Sequence, residues 1–183
     1  MGLERPFEKE KLICGVLFPE NGSPPLAEAR LQMEASFGPL DFASEPYSFS
    51  RVSPYYDGEM GGSVRRVFWS FREPIDPARL WEVKRFTNRL ETAFAGEGGR
   101  RINLDPGTLG PGKLILATTK PAAHRIALRD GIYAELTLFY ARGDFQVLPW
   151  TYLDFRMPEV RTSLRRIRDL YMAQRRAGIT KEE

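Results

Sequence analysis

Lys11-Leu12-Ile13-Cys14-Gly15-Val16-Leu17-Phe18 decides the fold class. After one lysine the run carries no charge and does not alternate, which is the pattern of a strand buried on both faces. Asn21-Gly22-Ser23-Pro24-Pro25 then marks a loop and a helix start, with Ser23 as N-cap and proline in the first turn. Leu26, Ala29 or Arg30, Met33 and Phe37 follow at helical spacing, and Gly38-Pro39 ends the helix.

Working outward, residues 40–49 read as extended and 53–62 as a loop. Residues 64–71 read as a strand in which Val67, Trp69 and Phe71 alternate. Asp76-Pro77 opens a second helix whose stripe is Leu80, Val83, Leu90 and Phe94. Short strands are expected at 101–104, 114–118, 125–128, 132–140 and 145–150. In the clearest, Ile132, Ala134, Leu136 and Leu138 face one way, and Tyr133, Glu135, Thr137 and Phe139 the other. Arg142-Gly143-Asp144 is read as a hairpin turn rather than an adhesion tripeptide. A last helix begins near Pro158, with Val160, Leu164, Ile167 and Tyr171 on one stripe. The order predicts an α+β fold: a ferredoxin-like split βαβ core, a C-terminal antiparallel β extension and a terminal helix. Residues 11–176 form one domain, with a flexible arm at 1–10 and a loose tail at 177–183.

The composition agrees: 42% hydrophobic and 28% charged residues in 183 is a globular balance. No apolar stretch is long enough for a bilayer, and the charged N-terminus lacks a signal peptide's pattern, so a cytoplasmic, non-membrane protein is expected. The single cysteine, Cys14, lies in the apolar run and leaves no disulfide framework. The net charge of +3 is weak evidence for nucleic acid.

The densest chemically capable stretch runs from Asn103 to Asp154. Gly107 to Lys113 fits seven positions of the phosphate-cradling pattern G-x-x-x-x-G-K. The eighth is Leu114, Pro111 removes an amide, and a strand follows where the phosphate loop needs a helix, so a glycine-rich turn is expected. His124, the only histidine, is either an acid–base group or a turn histidine. Asp105, before Pro106-Gly107, reads as a turn aspartate. Glu135 sits mid-strand and, if covered, needs a partner such as Arg125 or Lys120. Together these predict a site for an anionic small molecule, plausibly a nucleotide or other phosphate. His124, Asp105 and Glu135 would carry its chemistry, with Lys120, Arg125, Asn103, Thr119, Tyr55 and Glu59 as ligand contacts. No spacing dictates a metal or cofactor. The second reading is an RNA- or protein-interaction module using Arg161, Arg165, Arg166, Arg168, Arg175 and Arg176 of the last helix. No aromatic interleaving accompanies those arginines, so a solvated helix face is the expected reading for them.

Several strings carry a family resemblance: Tyr55-Tyr56-Asp57-Gly58-Glu59-Met60-Gly61, Lys84 with Thr87-Asn88, Arg101-Ile102-Asn103-Leu104-Asp105-Pro106-Gly107, Leu116-Ala117-Thr118-Thr119-Lys120, His124-Arg125-Ile126, Gly131-Ile132-Tyr133-Ala134-Glu135 and Trp150-Thr151-Tyr152. Together they resemble the bacterial and archaeal domain-of-unknown-function family 4416 over nearly the whole chain. Thr108 and Leu153 depart from its pattern, where tyrosine and proline are expected. Some relatives carry a GTP-binding label, which the resemblance extends to this chain only as an expectation.

Overall fold

The apolar run forms β1 (Lys11–Pro19), and every residue from Lys11 to Phe18 is buried. The computed structural model describes residues 2–21 and 24–180; the expected N-cap Ser23 and the tail residues 181–183 lie outside the described residues. After β1 come α1 (Pro24–Phe37), β2 (Leu40–Ala43), β3 (Tyr47–Ser48), α2 (Asp57–Met60), β4 (Val64–Phe71) and α3 (Leu80–Ala93). The second half holds β5 (Asn103–Leu109), β6 (Lys113–Thr118), β7 (Arg125–Arg129), β8 (Ile132–Ala141), β9 (Asp144–Val147) and α4 (Pro158–Arg176). The fold is α+β: an antiparallel nine-stranded sheet in the order β2-β4-β1-β5-β6-β8-β7, with β3 on β4 and β9 on β8.

The double burial of β1 has a layer on each side. Leu12, Cys14, Val16 and Phe18 pack with Ala29 and Met33 of α1 and Val83 and Leu90 of α3. Ile13 points the other way, into a cluster with Phe68, Leu109, Leu138 and the α4 stripe Val160, Leu164, Ile167 and Tyr171. On α1 it is Ala29 that faces the core, while Arg30 is exposed and bonds Glu34. The covering of the second face matters for function, because α4 leaves one end of it open.

Several expectations change in the structure. Asp105-Pro106-Gly107 lies inside β5 and is not a turn. The loop at 53–62 contains the one-turn helix α2. The strand expected at 145–150 ends at Val147. In β8 the register slips where Leu114 opposes Leu138 and Ile115 opposes Leu136. Thr137 is the extra residue of that bulge, so Leu138 joins the buried face of Glu135 while Leu136 is exposed. The expected turn at Arg142-Gly143 is present, with positive φ at both residues, and Gly110-Pro111-Gly112 is the bend between β5 and β6.

The arm and tail, expected to be loose, meet each other. Lys9 N–H donates to the Thr180 carbonyl (2.9 Å), the Thr180 hydroxyl donates to Glu8, and Arg175 pairs with Glu8. Tyr171 donates its hydroxyl to the Lys9 carbonyl (3.0 Å), and burial pushes its pKa up to about 12.

Gly107 is the first residue of β5 that pairs with β6. A Cβ there would overlap the Ile115 carbonyl oxygen, a backbone atom that cannot rotate away. Gly107→Ala is therefore expected to lower stability by about 1–3 kcal/mol, measured by urea denaturation. A neutral result would show that the two strands separate freely.

Candidate functional site

β5 and β6 pair only where Gly107–Leu109 meet Leu114–Leu116. Pro106 has no N–H to give to a ladder, and the pairing stops at its neighbour. Upstream, Asn103 to Pro106 stay with β1; downstream, Ala117 and Thr118 stay with β8. The sheet splits here, and a cavity of about 570 Å³ opens over the split on the face that α4 covers elsewhere. That volume lies within the roughly 300–1,000 Å³ of small-molecule sites.

Lys84 enters the split from α3. Its Nζ donates to the Leu104 carbonyl at 2.8 Å and lies 3.8 Å from Glu91 and 3.9 Å from Asp105. Glu91 accepts the Leu104 N–H at 2.7 Å, and burial raises its pKa above the ordinary carboxylate value. Arg66 of β4 lies flat across β1 because Gly15 has no side chain; a Cβ at 15 would overlap the guanidinium. Its Nη1 donates to Asp154 at 2.6 Å and its Nη2 to Asp105 at 3.4 Å. Phe49, Phe68 and Phe155 surround it, with ring centroids at 5.8, 5.0 and 5.1 Å. Burial alone would lower the pKa of Arg66, but Asp154, Tyr47 and Asp105 outweigh it and hold the group charged. Asp154 opens a 3-10 turn (Asp154–Arg156) and also accepts from the Tyr47 hydroxyl at 2.9 Å.

Arg100 closes another wall, bonded to Glu59 at 2.8 Å and Asn103 at 2.8 Å. The bond from Arg100 holds the Glu59 carboxyl below its usual range. Two donors beside the cavity, Arg66 Nε and Asn103 Nδ2, are buried with no acceptor among the described residues. At the mouth stand Tyr55, Tyr152, Leu153, Lys120 and Arg156, all exposed. The Lys120 ammonium lies 5.2 Å from the Tyr55 ring centroid and makes no ion pair among the described residues.

Of the residues singled out from the sequence, Asn103, Asp105, Thr119, Lys120, Glu135 and Tyr55 line this cavity. His124, Arg125 and Glu59 stand behind it. His124 Nε2 lies 3.1 Å from Glu135, and its ring stacks on Trp150 with centroids 4.9 Å apart. Arg125 donates to Glu135 (2.8 Å), the Lys120 carbonyl (2.7 Å) and the Tyr152 hydroxyl (2.8 Å). His124 and Arg125 thus hold Glu135, and Arg125 also holds the rim. Arg66, Lys84, Arg100, Tyr152, Asp154 and Arg156 were not among the chosen site residues and line the cavity with them.

Four of the six arginines of α4 make contacts within the chain, while Arg166 and Arg176 are exposed. Arg161 and Arg165 both pair with Asp144, Arg168 donates to the Pro111 carbonyl and lies over Tyr140, and Arg175 pairs with Glu8. Cys14 is buried and its thiol is pushed up by burial. Among the described residues no three His, Cys, Asp or Glu side chains gather as a metal-holding group, and no helix is long and apolar enough to cross a membrane.

No curated protein and no solved structure matches the chain. The family described as "Domain of unknown function (DUF4416)" matches residues 8–171, which takes in every strand, the first three helices and most of α4. The chain belongs to the DUF4416 family.

Proposed function

We propose that this cytoplasmic protein binds a small anionic molecule, a nucleotide or another phosphate-bearing compound, in the cavity over the β5–β6 split. One observation carries the reading: the lining holds five cations (Arg66, Lys84, Arg100, Lys120, Arg156) against three carboxylates (Asp105, Glu135, Asp154). The carboxylates are already engaged: Asp154 by Arg66 and Tyr47, Glu135 by Arg125 and His124, Asp105 by Arg66 and Lys84. A surplus of positive charge focused at the mouth of a cleft attracts an anion more strongly than the same charges spread over a surface. Tyr55, Tyr56, Tyr152 and Phe49 give the walls aromatic surface suited to a planar ring. Four of the α4 arginines serve contacts within the chain, which favours the cavity over the interaction-module reading.

A thermal-shift panel of nucleotides, sugar phosphates and inorganic phosphate tests this. A ligand at 100 times its dissociation constant stabilises by about 2.7 kcal/mol, a readily seen shift. The expected result is stabilisation by a phosphate-bearing compound that disappears in Thr118→Trp, which obstructs the cavity and removes no charge. Stabilisation surviving in Thr118→Trp would locate binding elsewhere, and no stabilisation by any anion would refute the reading.

A further inference from the structure

The charges of the cavity are sorted by depth. At the floor, Arg66 is paired with Asp154 and Asp105, and Lys84 sits between Glu91 and Asp105. On the wall, Arg100 is paired with Glu59 and Glu91. At the mouth, Lys120 and Arg156 form no ion pair among the described residues; Arg156 donates to the carbonyls of Leu148, Pro149 and Thr151, and Lys120 acts on Glu59 only at longer range. The surplus charge is therefore a property of the rim. The floor offers a different chemistry. Asp105 is the one lining carboxylate open to the cavity, its side chain 29% exposed against 2% for Glu135 and Asp154. Beside it stand Tyr56, kept protonated by burial and by Asp105, and the apolar side chains Leu17, Phe49 and Leu116.

Resting on the anionic-ligand reading above, we propose that the ligand enters head first. Its uncharged head, a ring or sugar bearing hydroxyl or N–H donors, lies on the floor and donates to Asp105. Its anionic group stays at the mouth between Lys120 and Arg156. Driving the anion inward would set its charge against Asp105 beside cations whose charge is already offset by carboxylates, leaving Arg66 Nε as a floor donor without an acceptor among the described residues, and would leave the two rim cations unused. The substrate class that follows is a bipolar one: a hydrogen-bond-donating head joined to a terminal phosphate or carboxylate, the arrangement of a nucleoside monophosphate. Lys120 and Arg156 then set the preference for the charged over the uncharged form of the same compound, and Asp105 selects the head.

Matched pairs test the orientation: the four common nucleosides and their monophosphates, with inorganic phosphate as a third arm, titrated calorimetrically into the full chain. The readout is the ratio of the affinity for a monophosphate to that for its nucleoside. In the wild type it is expected to exceed about tenfold, the worth of one charge-assisted contact, and to fall as salt rises. In Lys120→Gln/Arg156→Gln the ratio is expected to drop close to one. In Asp105→Asn both affinities are expected to fall together, with the ratio kept. Lys120→Gln alone, which removes only the contact with the Tyr55 ring and no ion pair among the described residues, gives a smaller drop in the ratio and guards against misfolding of the double variant. A ratio unchanged in both rim variants, or lost in Asp105→Asn, would overturn the orientation and leave the anionic cavity standing. Tight inorganic phosphate with no gain from any nucleoside would likewise overturn the bipolar ligand alone. No binding by any probe would overturn the cavity reading and this one with it.

Discussion

Arg66→Met is expected to be the most damaging single substitution on the buried sheet face. The guanidinium is 5% exposed and its partner Asp154 2% exposed. Removing the cation leaves the Asp154 carboxylate in a site lined by Phe68 and Phe155, met by the Tyr47 hydroxyl alone among the described side chains, and leaves Asp105 with Lys84. Breaking a buried pair from one side costs about 3–5 kcal/mol, because the remaining charge keeps its desolvation penalty and loses its partner. Natural domains have about 5–15 kcal/mol in total, so much of the chain would be unfolded under mild denaturant. The same argument predicts a partial rescue. Arg66→Met/Asp154→Asn removes both charges and lets the Asn side chain keep the Tyr47 bond, so it should be more stable than Arg66→Met alone. Chemical denaturation of the four-member cycle measures this. A double variant no better than the single one would show that Arg66 acts through its packing on Phe49, Phe68 and Phe155 and that its charge is secondary.

Glu135→Leu is expected to have the second largest effect, and to act on binding as well as stability. Glu135 is 1% exposed and accepts from Arg125, with His124 on the same oxygen. Arg125 in turn holds the Lys120 carbonyl and the Tyr152 hydroxyl, which are parts of the rim. Leucine at 135 leaves the guanidinium without its acid and costs about 3 kcal/mol, and the rim it organises loosens. Glu135→Gln keeps an acceptor for Arg125 and should cost only about 1–2 kcal/mol while leaving the cavity able to bind. His124→Ala removes the stack on Trp150 but leaves Glu135 held by Arg125, so it should be milder than Glu135→Leu in both respects. Melting curves and ligand affinity of the three variants decide the point. Equal loss of binding in Glu135→Gln and Glu135→Leu would mean that the carboxylate itself touches the ligand.

How far the sequence carries the account depends on range. β1, β4, the α3 stripe and the α4 stripe are legible because a continuous apolar run or a helical period fixes each locally, and the structure buries those residues. Asp105-Pro106-Gly107 misleads because proline and glycine ordinarily mark turns; only the partner strand shows that Pro106 lies where β6 has left and that Gly107 lies where it arrives. The bulge at Thr137 is invisible for the same reason, since register belongs to a pair of strands. Among the site residues, Asn103, Asp105, Thr119, Lys120 and Glu135 are found by crowding in one stretch. Arg66 is missed because it sits on the face of β4 opposite Val67, Trp69 and Phe71. Nothing in its neighbourhood says that α4, some ninety residues later, buries that face. The one local signal is Phe68, an aromatic residue on the same face. Lys84 and Arg100 come from separate segments and join the site only through the β5–β6 split, although Lys84 belongs to the strings that carry the family resemblance.

The most direct test of the cavity is an amide-resolved nuclear magnetic resonance titration of the full chain with a nucleoside monophosphate. Shift changes are expected at Tyr55 and Tyr56, Arg100 to Asp105, Thr118 to Lys120, and Thr151 to Arg156, with residues 161–176 of α4 unmoved. Changes running along α4 with the cavity residues silent, or no change anywhere at millimolar ligand, would contradict the account.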